Sequence, residues 1–383
     1  MLRNKTAVLI TAHISAALLA LVLLLVSWQS TAFASWYAAN VFPVLVHTLG
    51  RFFGLFPFSV FEIFFFGIPA LIIAIVIKTA AGFFIKTQRA AAIKNAKRAG
   101  TGLLIFVSYI IVLFVLGTGI NYNRESYAAH VGITVRDSSL EELVQLYHML
   151  IRRAEELVPL IETDEDGVFV ISSDRPHNYA IESMHDLHRL HGGLVGYFPR
   201  AKSLVFSRIL SHMRIAGFFN PWTMEATYNG EMPPHRKPFI MNHELAHFAG
   251  HMREDEANFI AYLASRNSPS IDFRYSAVYA GLGYVLNALH RTVSRERYIE
   301  LFEMLPPQLE RDFAANRAFW RQFEGPVSDM ANRANDAYLR ANRQEDGVLS
   351  YGRMVDLMLA YYRERGFAHY RVCSRDLPIT NKQ

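Results

Sequence analysis

Three long stretches without a formal charge, all in the first 120 residues of a 383-residue chain, constrain this fold more than any other feature. Thr6–Trp28 and Thr101–Ile120 are two of them. The third, Ile63–Ile77, is rich in Leu, Ile and Phe, and it extends back through Phe52–Phe61 and forward past Lys78, which can snorkel. A bilayer core asks for about 20 apolar residues per helix. The pattern predicts three transmembrane helices near 6–28, 58–80 and 101–120, so that residues 1–120 form a membrane region. The bland alternative, buried core helices of a soluble protein, needs all three packed inside the first third of the chain. Residues 36–57 are apolar but broken by Pro43, Gly50, Gly54 and Pro57, which fits an interfacial or re-entrant segment.

Charge follows the same division. Residues 1–120 hold nine of the 39 Lys/Arg and one of the 34 Asp/Glu, a balance of +8, which leaves 30 against 33, or −3, for residues 121–383. The overall +5 therefore belongs to the apolar part, and the mildly acidic remainder is a poor nucleic-acid binder. The 81–100 connection carries Lys86, Arg89, Lys94, Lys97 and Arg98, whereas the 30–57 connection carries only Arg51. The positive-inside rule places the former in the cytoplasm and residues 121–383 on the extracytoplasmic side of a multi-pass chain. Met1–Lys5 with Ala32-Phe33-Ala34 also fits a cleaved signal peptide, although the long apolar run favours an uncleaved anchor; the topology is the same. Cys373 is the only cysteine, so an intramolecular disulfide framework is excluded.

Beyond residue 121 the chain reads as α+β and mostly helical. Ser139 and Glu142 make a capping box before an amphipathic helix to about Leu157. Short strands are expected at Gly167–Ser172, Ser203–Phe206, Ile215–Phe219 and Thr223–Tyr228, and helices at 240–250, 254–266, 275–293, 308–322, 327–343 and 349–365.

His243-Glu244-Leu245-Ala246-His247 is an HExxH pattern. On a helix, positions i and i+4 differ by about 40° and stand one turn apart, so two imidazoles converge as two of zinc's tetrahedral ligands. Glu244, about 100° from His243, reaches a metal-bound water rather than the metal and is placed as general base. A chance pattern on a surface helix is the alternative, but Met241, Leu245, Ala246 and Phe248 suit a buried helix. A metzincin-type third histidine would fall at position 253, which is Arg253. His185, His188 and His191 spread over about 120° of a helix and read as a solvated or core-edge face.

Glu254-Asp255-Glu256-Ala257-Asn258 resembles the second motif of gluzincin peptidases. That resemblance implies Glu254 as third ligand and Asn258 as the group bracing a ligand histidine, with Glu256 and His251 as alternative ligands. Glu256 lies about 200° from Glu254 on an ideal helix, so the two cannot both face one ion. More widely, the chain resembles a bacterial family of membrane-anchored proteins of unknown function, regarded as gluzincin-like zinc peptidases. The likeness is carried by Pro57-Phe58-Ser59, Gly119–Arg124, Thr223–Asn229, His243–His247, Glu254–Asn258 and Gly347–Met358. In Thr223–Asn229, Met224 stands where the resemblance implies Gly. It implies a zincin-like domain and a peptide or protein substrate. Thr223–Asn229, with Glu225 and Tyr228, is either a substrate-pairing edge strand or an ordinary sheet strand. Tyr275 is either an oxyanion donor or a packing residue. The expectation is thus a zinc metallopeptidase anchored in a bacterial cell membrane, with a zinc-stabilised, non-catalytic binding or assembly protein as the alternative.

Overall fold

A computed structural model of the chain describes residues 2–367, which leaves Cys373 outside the described residues. The protein is mostly helical with two small sheets, and it divides into two units. The first comprises Met1–Glu125 together with Asn220–Glu225; the second comprises Ser126–Phe219 and the chain from Ala226 onward.

In the first unit, three helices are long and apolar enough to cross a membrane: Thr6–Gln29, Val60–Phe84 and Arg89–Asn123. Their large apolar side chains point outward, among them Leu19, Val22, Ile73 and Ile77. A helix that exposes apolar residues on nearly every side suits lipid rather than water. The third helix begins at Arg89, well before the 101 read from sequence. The run Arg89–Ala99 is rich in Ala, Lys and Arg, strong helix formers, so most of the expected 81–100 loop is helical and Ile85–Gln88 makes the turn. The proline- and glycine-broken stretch forms short pieces instead of a span: Thr31–Asn40, Phe42–Leu45, a π-helical Val46–Gly50 and Arg51–Gly54.

Residues 220–225 are built into this unit by specific bonds. The side chain of Asn220 accepts from the backbone N–H of Trp222 and of Thr223, both at 3.0 Å, and Trp222 Nε1 donates to the Ile110 carbonyl at 3.1 Å. A Cβ on Gly117 would stand 2.8 Å from the Cβ of Pro221, so glycine permits the approach. Met224 has φ +49°, the left-handed region that favours glycine, which accounts for the glycine implied there.

Most of both sheets belongs to the second unit. β1 (Glu162–Thr163) pairs antiparallel with β2 (Phe169–Val170), with Glu162 opposite Val170. β3 (Lys202–Ser203), β4 (Gly217–Asn220) and β5 (Glu225–Tyr228) form a sheet of order β3-β5-β4, with β3 parallel to β5 and Lys202 opposite Thr227. Thr223–Asn229 therefore supplies the middle strand, and β4 is an edge. The capping box at Ser139 opens the helix Leu140–Leu157 as its sequence requires. Helices Lys237–Phe248, Glu254–Arg266 and Ile271–Thr292 pack on one another at the centre, and the first is buried from Pro238 to Phe248. A helix buried all round tolerates polar residues only where they have partners or a ligand, and this one carries His243, Glu244 and His247.

Candidate metal centre

The two histidines are placed by a helix whose end is closely specified. Pro238 occupies its first turn, where the missing N–H costs nothing. At the other end Gly250 takes φ +87°, its N–H donates to the His247 carbonyl at 2.9 Å, and the His251 N–H donates to the Ala246 carbonyl at 3.1 Å. That pair of bonds is a Schellman motif with glycine at C′. It reverses the chain within three residues, so that Glu254 opens the next helix facing back toward the histidines.

The result is a tight, buried triangle. His243 Nε2 and His247 Nε2 are 3.1 Å apart, and Glu254 Oε2 lies 3.3 Å from the first and 3.4 Å from the second. Tetrahedral zinc with bonds of about 2.0–2.1 Å sets its ligand atoms about 3.3 Å apart, so the three atoms fit three corners. His243 and Glu254 are 6% and 7% exposed, and Glu254 Oε2 sits at ion-pair distance from both imidazoles without hydrogen-bond geometry. A buried carboxylate oxygen aimed between two imidazole nitrogens but bonded to neither suits a cation. Among the described residues, His243, His247 and Glu254 form the group of three able to hold a metal; the trio His185, His188 and His191 does not.

The surrounding residues orient the ligands. His247 Nδ1 is bonded to the His251 carbonyl at 2.8 Å, which leaves Nε2 for the metal. The His251 ring is turned away: Nε2 meets the Gly193 carbonyl at 3.1 Å, and Nδ1 lies 3.6 Å from Glu256. Glu256 is paired with Arg253 at 2.8 Å. Of the three alternatives for third ligand, only Glu254 is thus in the triangle. The Asn258 amide nitrogen donates to the Tyr284 hydroxyl at 3.0 Å and to the Tyr351 carbonyl at 3.2 Å. The Asn258 side chain also favours charge on His243, although no bond to His243 Nδ1 has full hydrogen-bond geometry.

Burial opposes charge on His247, but the Glu254 and Glu244 carboxylates outweigh it and raise the imidazole to about 9. Burial lowers His243. Burial also works to raise Glu254, yet the histidines hold it well below the usual carboxylate range. Glu244, 2% exposed, is pushed up by burial to about 8, with the His247 charge opposing and the Glu254 charge adding. Its Oε2 has no hydrogen-bond partner, and a Cβ on Gly217 of the edge strand β4 would stand 2.5 Å from its Oε1. Gly217 is what lets that strand lie against the carboxylate.

The remaining sequence candidates lie in other surroundings. Glu225 is buried and caps the helix Val60–Phe84, accepting from the backbone N–H of Val60 at 3.0 Å and of Phe61 at 2.8 Å and from the Thr223 hydroxyl at 2.7 Å. A carboxylate at a helix N-terminus satisfies orphan donors, so this side chain is committed. Tyr228 is buried with its ring 6.0 Å from that of His177. Tyr275 is fully buried and donates its hydroxyl to Asp312. Tyr351, not singled out from sequence, stacks at 6.5 Å and 17° to the His243 ring, and burial, with the Glu254 and Glu244 charges adding, raises its phenol well above the ordinary value. Its signal was its place in Gly347–Met358, a segment that carries the resemblance but has no fixed spacing to the histidines.

A model of the family described as "Protein of unknown function (DUF3810)" matches residues 37–359, and the chain belongs to that family. Among curated proteins and solved structures, none matches it.

Proposed function

We propose that this member of the DUF3810 family is a membrane-anchored zinc metallopeptidase of gluzincin-like, zincin-type design, with its catalytic domain on the extracytoplasmic side of a bacterial cell membrane. The observation that carries the reading is the buried triangle of His243, His247 and Glu254 with edges of 3.1, 3.3 and 3.4 Å, beside the unpaired carboxylate of Glu244. Three ligands from one compact segment leave the fourth tetrahedral position open, the distinction between a catalytic and a structural zinc site.

Zinc held by His243, His247 and Glu254 would supply Lewis acidity, to polarise a carbonyl and acidify water. His247 would bind the metal as a neutral imidazole through Nε2, and its Nδ1 bond to the His251 carbonyl keeps the ring in place. Glu244 accepts a proton from the attacking water and returns it to the leaving amine nitrogen. Its burial excludes competing solvent, and Gly217 brings the edge of β4 beside it, where an extended peptide can pair with the strand. Tyr351 holds its phenol proton across the physiological range and adds a donor near the cluster.

Hydrolysis of a mixed peptide library by the full-length chain in detergent, with Glu244→Gln alongside, tests the reading. Wild type cleaves, and the variant keeps its zinc and loses about 10²- to 10⁴-fold in rate, the usual cost of removing a general base. A zinc-loaded wild type without cleavage would favour the non-catalytic alternative.

A further inference from the structure

A second feature of the Ser126–Phe219 and Ala226 onward unit has no role in the chemistry above. A pocket of about 540 Å³ is lined by Arg214, Arg236 and Arg317, by the amides Asn287 and Asn316, and by aromatic and aliphatic side chains; no Asp or Glu is in its wall. Arg214 has Glu324 at 3.7 Å. Arg236 and Arg317 have no carboxylate within ion-pair distance among the described residues. Tyr279 also lines it; this side chain is 5% exposed and its hydroxyl has no hydrogen-bond partner. Burial raises that phenol, the charges of Arg236 and Arg317 act in the opposite sense, and the Asp312 charge adds to burial. The nearby Asp312 carboxylate is already engaged by the Phe169 N–H at 3.0 Å, by Gln308 and by Tyr275. The Tyr279 ring is fixed between Phe313 at 4.5 Å and His235 at 4.4 Å.

A buried hydroxyl without an acceptor, in the wall of a pocket that also holds two guanidinium groups without a carboxylate partner, suits an anion with oxygen acceptors. Phe239, Leu286, Phe302 and Phe313 supply apolar wall for the body that carries it. Position relates the pocket to the metal centre. Tyr284 is part of its wall, and the hydroxyl of Tyr284 accepts from Asn258, on the helix that Glu254 opens. Arg236 directly precedes the helix Lys237–Phe248, and His243 lies seven residues on, about 10 Å along the axis. That distance is about three residues of extended peptide.

We infer that this pocket binds a carboxylate of a peptide substrate, about three positions from the scissile bond, through Arg236, Arg317 and the Tyr279 hydroxyl. The inference rests on the peptidase reading for its biological sense, but its test does not need turnover. The carboxylate comes from a chain terminus or from an acidic side chain, and the probes separate them.

The experiment is calorimetric titration of the zinc-loaded, full-length Glu244→Gln chain in detergent with N-acetyl-phenylalanine, its amide, N-acetyl-glutamate α-amide and N-acetyl-glutamine α-amide. One acid binds about tenfold or more tighter than its amide partner, as a charge-assisted bond gives. The N-acetyl-phenylalanine pair showing it assigns the chain terminus, and the glutamate pair assigns the side chain. The preference falls to within about twofold in Arg236→Gln/Arg317→Gln, and Tyr279→Phe, which keeps the ring, lowers it in the same direction. Zinc content reports that each variant is folded at the cluster. No preference with either pair overturns the inference. A preference that survives in the double variant does so too, because the carboxylate then sits elsewhere, for example on the metal. Preference without wild-type cleavage leaves this pocket standing and removes the peptidase reading; cleavage without preference does the reverse.

Discussion

Glu254 and Glu256 are two residues apart, equally buried in sequence context, and opposite in role. The roughly 200° between them on a helix sends Glu254 to the imidazoles and Glu256 to Arg253 at 2.8 Å. Removing Glu254 takes away a corner of the triangle and leaves two histidines facing each other at 3.1 Å. Removing charge from Glu256 breaks an ion pair and leaves the triangle complete. This much was legible in the sequence because both histidines and all the candidate carboxylates fall between positions 243 and 256, where helical geometry fixes direction. Tyr351, Tyr284 and Gly217 were not, because each reaches the site through tertiary packing from a distant segment. The capping role of Glu225 was hidden for the same reason: its partners Val60 and Phe61 are more than 160 residues away in the chain.

At the scale of the element, the joint between Lys237–Phe248 and Glu254–Arg266 matters most. Gly250 as a stop signal was readable from sequence, and its φ of +87° completes the Schellman motif that aims both the His251 carbonyl and Glu254. Alanine there meets the left-handed penalty, about 1–2 kcal/mol, and shifts the carbonyl on which His247 rests. Gly250→Ala is therefore expected to unfold at lower temperature and to bind zinc about 10-fold more weakly, by calorimetry and by competition with a chromogenic chelator. Unchanged zinc affinity would show that the turn does not set the ligand geometry. The long helices from Lys237 onward were read within a few residues, since periodicity and caps are local signals, whereas the third apolar helix begins twelve residues before its expected start. The strands were less legible: they span two to four residues, too short for alternation to show, and the order β3-β5-β4 makes the expected edge candidate the central strand.

For the molecule as a whole, the apolar segments announced the first unit, but nothing in composition signalled that residues 220–225 belong to it. That assignment depends on Asn220, Trp222 and Glu225 finding partners, which no linear pattern encodes. The basic cluster Lys94, Lys97 and Arg98 lies within the third long helix rather than in a loop, yet it still charges one end of the apolar spans. The positive-inside rule then predicts that a reporter active only in the cytoplasm, joined after Gln383, stays silent; strong signal would reverse the proposed topology. The central claim is the metal centre, and metal content of the purified full-length chain tests it most directly. The account predicts one zinc per chain in wild type, in Glu244→Gln and in Glu256→Gln, and loss of that zinc in Glu254→Ala. A wild-type chain without zinc, or full zinc retention in Glu254→Ala with loss in Glu256→Gln, would contradict it.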